Sequence, residues 1–276
     1  MAASADAAQG GGNVDVIGHI LDHDSVEVPF INAHHIFDGH IALPHFDPIY
    51  GVDLSITRHV LMMWIASSLL ILTMMACFRR PKLVPTGLAN FLESIVVFLR
   101  DEVVLPVMGE GGRVYLPFLL TVFFFILYCN LLGLVPYSAT ATGNISVTAA
   151  LALISFAVTQ GAGIVNNGLI GHFKAMVPSG VPAALLIILI PIEIVGMLAK
   201  PFALCIRLFA NMIAGHIAIV VFLGLIIMLQ SYWVAPASVI LAAALYLLEI
   251  FIGFIQAFIF TLLTALFVSM AVHPDH

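Results

Sequence analysis

Apolar runs of membrane length, divided by short polar breaks, occupy the chain from about residue 56 onward. The first, about 56–78, is long enough for a hydrocarbon core about 30 Å thick at about 1.5 Å per residue. Residues 86–108 differ: Glu93, Arg100, Asp101 and Glu102 interrupt them, while Leu88, Phe91, Leu92, Ile95, Val96 and Leu99 recur at helical spacing. That pattern predicts an amphipathic helix lying in the interface as a connector. Further spans are expected at about 115–135 and 145–166, the latter rich in the small residues that let helices approach closely in lipid. Two longer runs follow, about 181–229 and 235–272, parted at 230–234. Each folds into two spans or forms one strongly tilted helix. The first run has no polar turn, and Pro191 and Pro201 are tolerated as kinks in membrane helices, which favours two tilted helices. The fold class expected is an all-α membrane protein: five membrane-embedded helices plus one interfacial helix, the last two helices forming an antiparallel hairpin.

Residues 1–53 are polar, acidic and His-rich and carry no sustained helical period, so they read as an extramembrane segment. They lack the basic start and apolar core of a secretory signal, and no lipidation motif follows; the first span is expected to direct insertion. Arg79, Arg80 and Lys82 after that span put its end in the cytoplasm, and the N-terminus outside. The loop at 137–144 has no Lys or Arg, as its outside position requires. Asn130 lies near the outer end of its span, where it lines a water path or caps a neighbouring helix. His172 and Lys174 mark the next return to the cytoplasm.

Composition agrees: 62% hydrophobic and 9% charged residues, with strongly positive mean hydropathy, exceed what one soluble core can hide. Nine basic residues offer no patch for nucleic acid. Cys77, Cys129 and Cys205 stand singly in apolar segments and read as packing residues. Of the six histidines before residue 46, only His19 and His23 have the spacing of a ligand pair, and no Cys joins them, so no metal site is expected. No cofactor is expected either.

The candidate chemistry lies in residues 191–216, where Glu193, Lys200, Arg207, Asn211 and His216 interrupt an apolar run. A charge at bilayer depth costs about 2.5 to 3.5 kcal/mol on insertion scales, so a sequence that keeps several there uses them. Arg207 cannot be neutralised by deprotonation. If the last two helices form a hairpin, facing residues have position numbers of nearly constant sum. Arg207 then faces Gln256 and His216 faces Glu249, with the turn at 231–233. At 100° per residue Glu193, Lys200, Arg207 and Asn211 share one face, within the slack of Pro201, while His216 turns toward the second helix. This is the layout of a proton route beside a fixed charge.

The stretch KPFALCIRLFANMIAGH, followed some forty residues on by EIFIGFIQAFIFTLLTALFVSMA, resembles subunit a (subunit 6) of the rotary F-type ATP synthase, as does NLLGLVP earlier. The resemblance implies a proton-conducting stator subunit of the bacterial cytoplasmic membrane, multi-pass, with its C-terminus cytoplasmic. It also implies no catalytic site of its own. Its implied partners are a ring of c subunits, b-type peripheral stalk subunits and the rest of the synthase. Arg207 matches the essential arginine that faces the ring and blocks leakage between two offset half-channels. His216, Glu249, Asn211 and Gln256 match positions on the entry route or beside the arginine, and Glu193 the carboxylate of the cytoplasmic half-channel. Many bacterial members carry the acid on the first helix and the histidine on the second; here His216 and Glu249 are exchanged, as in mitochondrial members. The competing reading is a secondary ion transporter with an intramembrane charge site, which predicts inverted repeats that are not found. A haem-bearing redox subunit would need two facing intramembrane histidines, and only His216 lies well inside a late span.

Overall fold

The computed structural model describes residues 25–27, 40–42, 57–79, 86–135, 138, 140–175, 183–229 and 235–273. The His-rich segment lies outside the described residues except for β1 (Ser25–Glu27) and β2 (His40–Ala42), which pair antiparallel with Val26 opposite Ile41. The turn expected at 231–233 is also outside them.

The protein is an all-α membrane protein. Among the described residues, five helices are long and apolar enough to cross a membrane: α1 (Arg58–Phe78), α4 (Leu116–Gly133), α5 (Ile145–Ala175), α6 (Ala183–Leu229) and α7 (Ala235–Val272). Between α1 and α4 run α2 (Leu88–Phe98), a π-helical turn at Leu99–Val104 and the short α3 (Leu105–Met108). Pro106 accounts for the widened turn. It has no N–H for the Glu102 carbonyl and its ring crowds that carbonyl, so the Leu105 N–H reaches back to Arg100 O instead.

Helix α7 is the axis of the bundle, packed by α4, α5 and α6. Its Ala257 and Phe260 are fully buried, together with Phe123 of α4, Leu99 of the π turn and Leu208 of α6. Phe123 meets Phe254 edge to face, with 5.7 Å between ring centroids, the arrangement that the ring quadrupoles favour. Ser269 Oγ donates to Val107 O at 2.7 Å and ties α7 to α3. Helix α1 packs on α4 and leaves Trp64, Ile71, Leu72 and Met75 exposed, a surface that lipid solvates at no cost.

Asn130 is fully buried and resolves to a helix tie. Its Nδ2 donates to Gly253 O of α7 at 3.0 Å, and its Oδ1 accepts from Thr142 at 2.8 Å. Gly253 permits this approach, since a Cβ there would sit 3.3 Å from the Asn130 Cβ.

Helix α5 departs from expectation. Polar Asn166 and Asn167 suggest an end at 166, but the helix runs to Ala175 with one break at Gly168, whose φ of 70° favours glycine. The asparagines do not end it because their amides find acceptors. Asn166 Nδ2 donates to Ala162 O at 2.8 Å, and Asn167 Nδ2 to the terminal α7 carbonyl of Ala271 at 2.9 Å.

Candidate functional site

At 47 residues, α6 is about 70 Å long, over twice the thickness of a hydrocarbon core, so it crosses a bilayer only when strongly tilted. Its burial against the bundle comes from Leu204, Cys205, Leu208 and Met212, which fall on one helical stripe. Three contacts fix how α7 runs beside it. Lys200 Nζ lies over the Phe267 ring at 5.3 Å, Asn211 Nδ2 donates to Gln256 Oε1 at 2.9 Å, and Gly215 abuts Glu249. Each step up α6 is a step down α7, so the pair is antiparallel.

The register differs by about one helical turn from the simplest pairing at one place. Gln256, only 2% exposed, bonds to Asn211 rather than facing Arg207. An amide pairs well with an amide, whereas a guanidinium has no acceptor to match the Gln256 N–H groups. Arg207 is half-buried, and no hydrogen bond or ion pair joins it to another described residue. Its always-charged head is thus left without a hydrogen-bonding or ion-pair partner among the described residues.

Glu249 is 3% exposed, and neither carboxylate oxygen has a hydrogen-bond partner. No hydrogen bond joins it to His216. The carboxylate lies instead over the Gly215 backbone, where a Cβ would be 2.6 Å from Oε1, and His216 stands beside it, half-buried. A buried carboxylate without a partner is costly in any interior, so it marks a place where a proton or water belongs.

At the other end, α5, α6 and α7 enclose a cavity of about 130 Å³ lined by Ser155, Thr159, Gln160, His172, Glu193 and Lys200 among others. Glu193 and Lys200 thus share a wall, but Arg207 and Asn211 are not part of the lining. A heptad falls about 20° short of two full turns, so residues two heptads apart drift off one face, and Pro201 adds to the drift. The cavity residues from α5 escaped sequence reasoning. Gln160 is a polar residue in a small-residue helix, and that was the available signal; His172 comes into the cavity only because Gly168 breaks the helix.

Along α6, therefore, a cation with no partner among the described residues stands between two polar sites. The cavity with Glu193 lies about 21 Å before Arg207, and His216 with Glu249 about 13 Å after it.

Comparison with known proteins bears on this arrangement. The family model for the ATP synthase A chain matches residues 60–269. ATP synthase subunit a of Chloroherpeton thalassium is 49% identical over 269 residues, covering 92% of this chain and 80% of that protein. The subunit a of Myxococcus xanthus is 47% identical over 278 residues, 91% of each chain. That of Pelodictyon phaeoclathratiforme is 47% identical over 284 residues, covering all of this chain and 81% of its own.

Proposed function

Because the chain belongs to the ATP synthase A chain family, we propose that it is the stator subunit that carries protons to and from a rotating ring of c subunits in an F-type ATP synthase. The observation that carries this reading is Arg207, an intramembrane cation with no partner among the described residues, lying between two separate polar sites. In this reading Arg207 faces the ring. A ring carboxyl reaching it ionises, because an opposite charge within about 4 to 6 Å favours the charged form.

Protons enter from outside past His216 and Glu249. Asn211 and Gln256, bonded to each other across the hairpin, fix the two helices beside the ring carboxyl that takes the proton. After nearly a full turn of the ring the proton leaves through the cavity that Glu193 and Lys200 line. The entry and exit are offset along α6, so the ring must rotate to join them, and the fixed charge of Arg207 denies protons the short way. The chain makes and breaks no covalent bond other than to protons; ATP is formed elsewhere in the complex. The membrane is the bacterial cytoplasmic membrane, with the N-terminus outside; the support is that Arg79 caps the end of α1, with Arg80 and Lys82 close behind in sequence, and a basic flank favours the cytoplasmic side. Peripheral stalk subunits of b type hold the chain against the ring's rotation.

Two measurements test this reading. Affinity purification of the tagged chain from mildly solubilised membranes is expected to bring down a ring of small carboxyl-bearing subunits; a chain recovered alone and still transporting ions would favour a self-contained transporter. Gly215→Ala is expected to slow ATP-driven proton pumping about tenfold in an assembled complex, since small displacements of a reacting group cost that much or more. The added methyl meets the flexible end of Glu249 rather than backbone, so the carboxylate moves and the fold does not. Normal pumping by this variant would take Glu249 off the route.

A further inference from the structure

Gln160 and His172 stand twelve positions apart on α5 and would be about 18 Å apart on an unbroken helix. Their side chains instead meet at 2.8 Å, His172 Nε2 to Gln160 Oε1. The cause is Gly168, whose φ of 70° and ψ of 162° turn the end of α5 back on itself. Gly163 completes the fit: a Cβ there would overlap the imidazole at Nδ1. Two glycines thus allow a histidine to be brought into the cavity that holds Glu193 and Lys200.

The cavity suits water. Its volume of about 130 Å³ has room for several molecules. Ser155 Oγ in its wall is buried without a hydrogen-bond partner, and a buried hydroxyl of that kind calls for one. The ionisable groups facing His172 across this space are Glu193 and Lys200 of α6. Helix α7 contributes no ionisable side chain to the lining among the described residues, and its His273 lies exposed past the helix end. A histidine changes charge near neutral pH, so it takes up and gives up protons where water and a carboxylate alone do so less readily.

We propose that His172 is a further proton-carrying residue of this chain, exchanging protons between cytoplasmic water and Glu193 through the cavity. The inference rests on the stator reading above. In the pumping direction one imidazole nitrogen takes a proton from water, and the imidazolium returns a proton to cavity water and so to the Glu193 carboxylate. The ring ends neutral, and Gln160 holds it in place throughout.

The test uses inverted membrane vesicles, whose outer face is cytoplasmic, with pumping followed as the medium pH is raised. His172→Gln keeps a polar partner for Gln160 but cannot titrate. It is expected to pump like the parent near about pH 6 and about tenfold more slowly near about pH 8.5, where protons are scarce and a relay matters most. Gly163→Ala displaces the imidazole without removing it and is expected to give the same alkaline deficit, so the test survives if His172→Gln fails to assemble. Parent-like pumping across the range, or a loss equal at every pH, would overturn the relay and leave His172 a structural tie. Arg207→Ala in the same vesicles separates the two levels. If it is inactive while His172→Gln pumps normally, only the relay falls; if it pumps normally, the stator reading falls with it.

Discussion

Arg207→Ala is expected to reduce coupled proton pumping in an assembled complex by about a hundredfold or more, the scale on which losing one oriented electrostatic group acts. An arginine at contact distance lowers a carboxyl's pKa by about 1 to 3, which is worth roughly 1.4 to 4 kcal/mol. Without it a ring carboxyl arriving from the exit side keeps its proton, and rotation moves protons in a circle. Arg207→Lys is expected to fail as well. A lysine desolvated at that depth can give up its charge, whereas a guanidinium cannot, and only a permanent cation both strips the carboxyl and blocks the gap. ATP-driven acidification of inverted vesicles reads both variants.

Glu249→Leu comes next in size, with pumping expected to fall about a hundredfold, the usual contribution of a positioned acid or base. Its signature differs from that of Arg207→Ala. Removing Glu249 closes a route and gives no leak, while removing Arg207 opens one. Stability should not suffer, because Glu249 accepts no hydrogen bond and its loss leaves no donor stranded. Glu249→Gln keeps the size but not the titration and is expected to pump as poorly as Glu249→Leu. Pumping by Glu249→Gln at the parent rate would show that the carboxylate only fills space beside Gly215.

Much of this was legible in the sequence because lipid makes polar residues conspicuous. Lys200, Arg207, Glu249 and Gln256 stand out from long apolar runs, and the two runs alone define the hairpin. What resisted reading depends on contacts between distant segments. Asn167 looks like a helix end until α7 brings the Ala271 carbonyl to it. The partner of Gln256 is Asn211 rather than Arg207, a shift of one turn that a constant-sum rule cannot resolve. Gly215 carries no signal of its own in the sequence, yet its missing side chain is what seats Glu249. His172 read as the edge of a span, since nothing local announces that Gly168 folds the chain back toward Gln160.

That one fixed cation keeps two proton routes apart is tested most directly by potential-driven proton flux, measured beside ATP-driven pumping, in vesicles whose only copy of the chain carries Arg207→Ala. Assembly of the complex is checked first. The predicted result is coupled pumping lost and passive flux raised above that of the parent; unchanged coupled pumping with no added flux would contradict it.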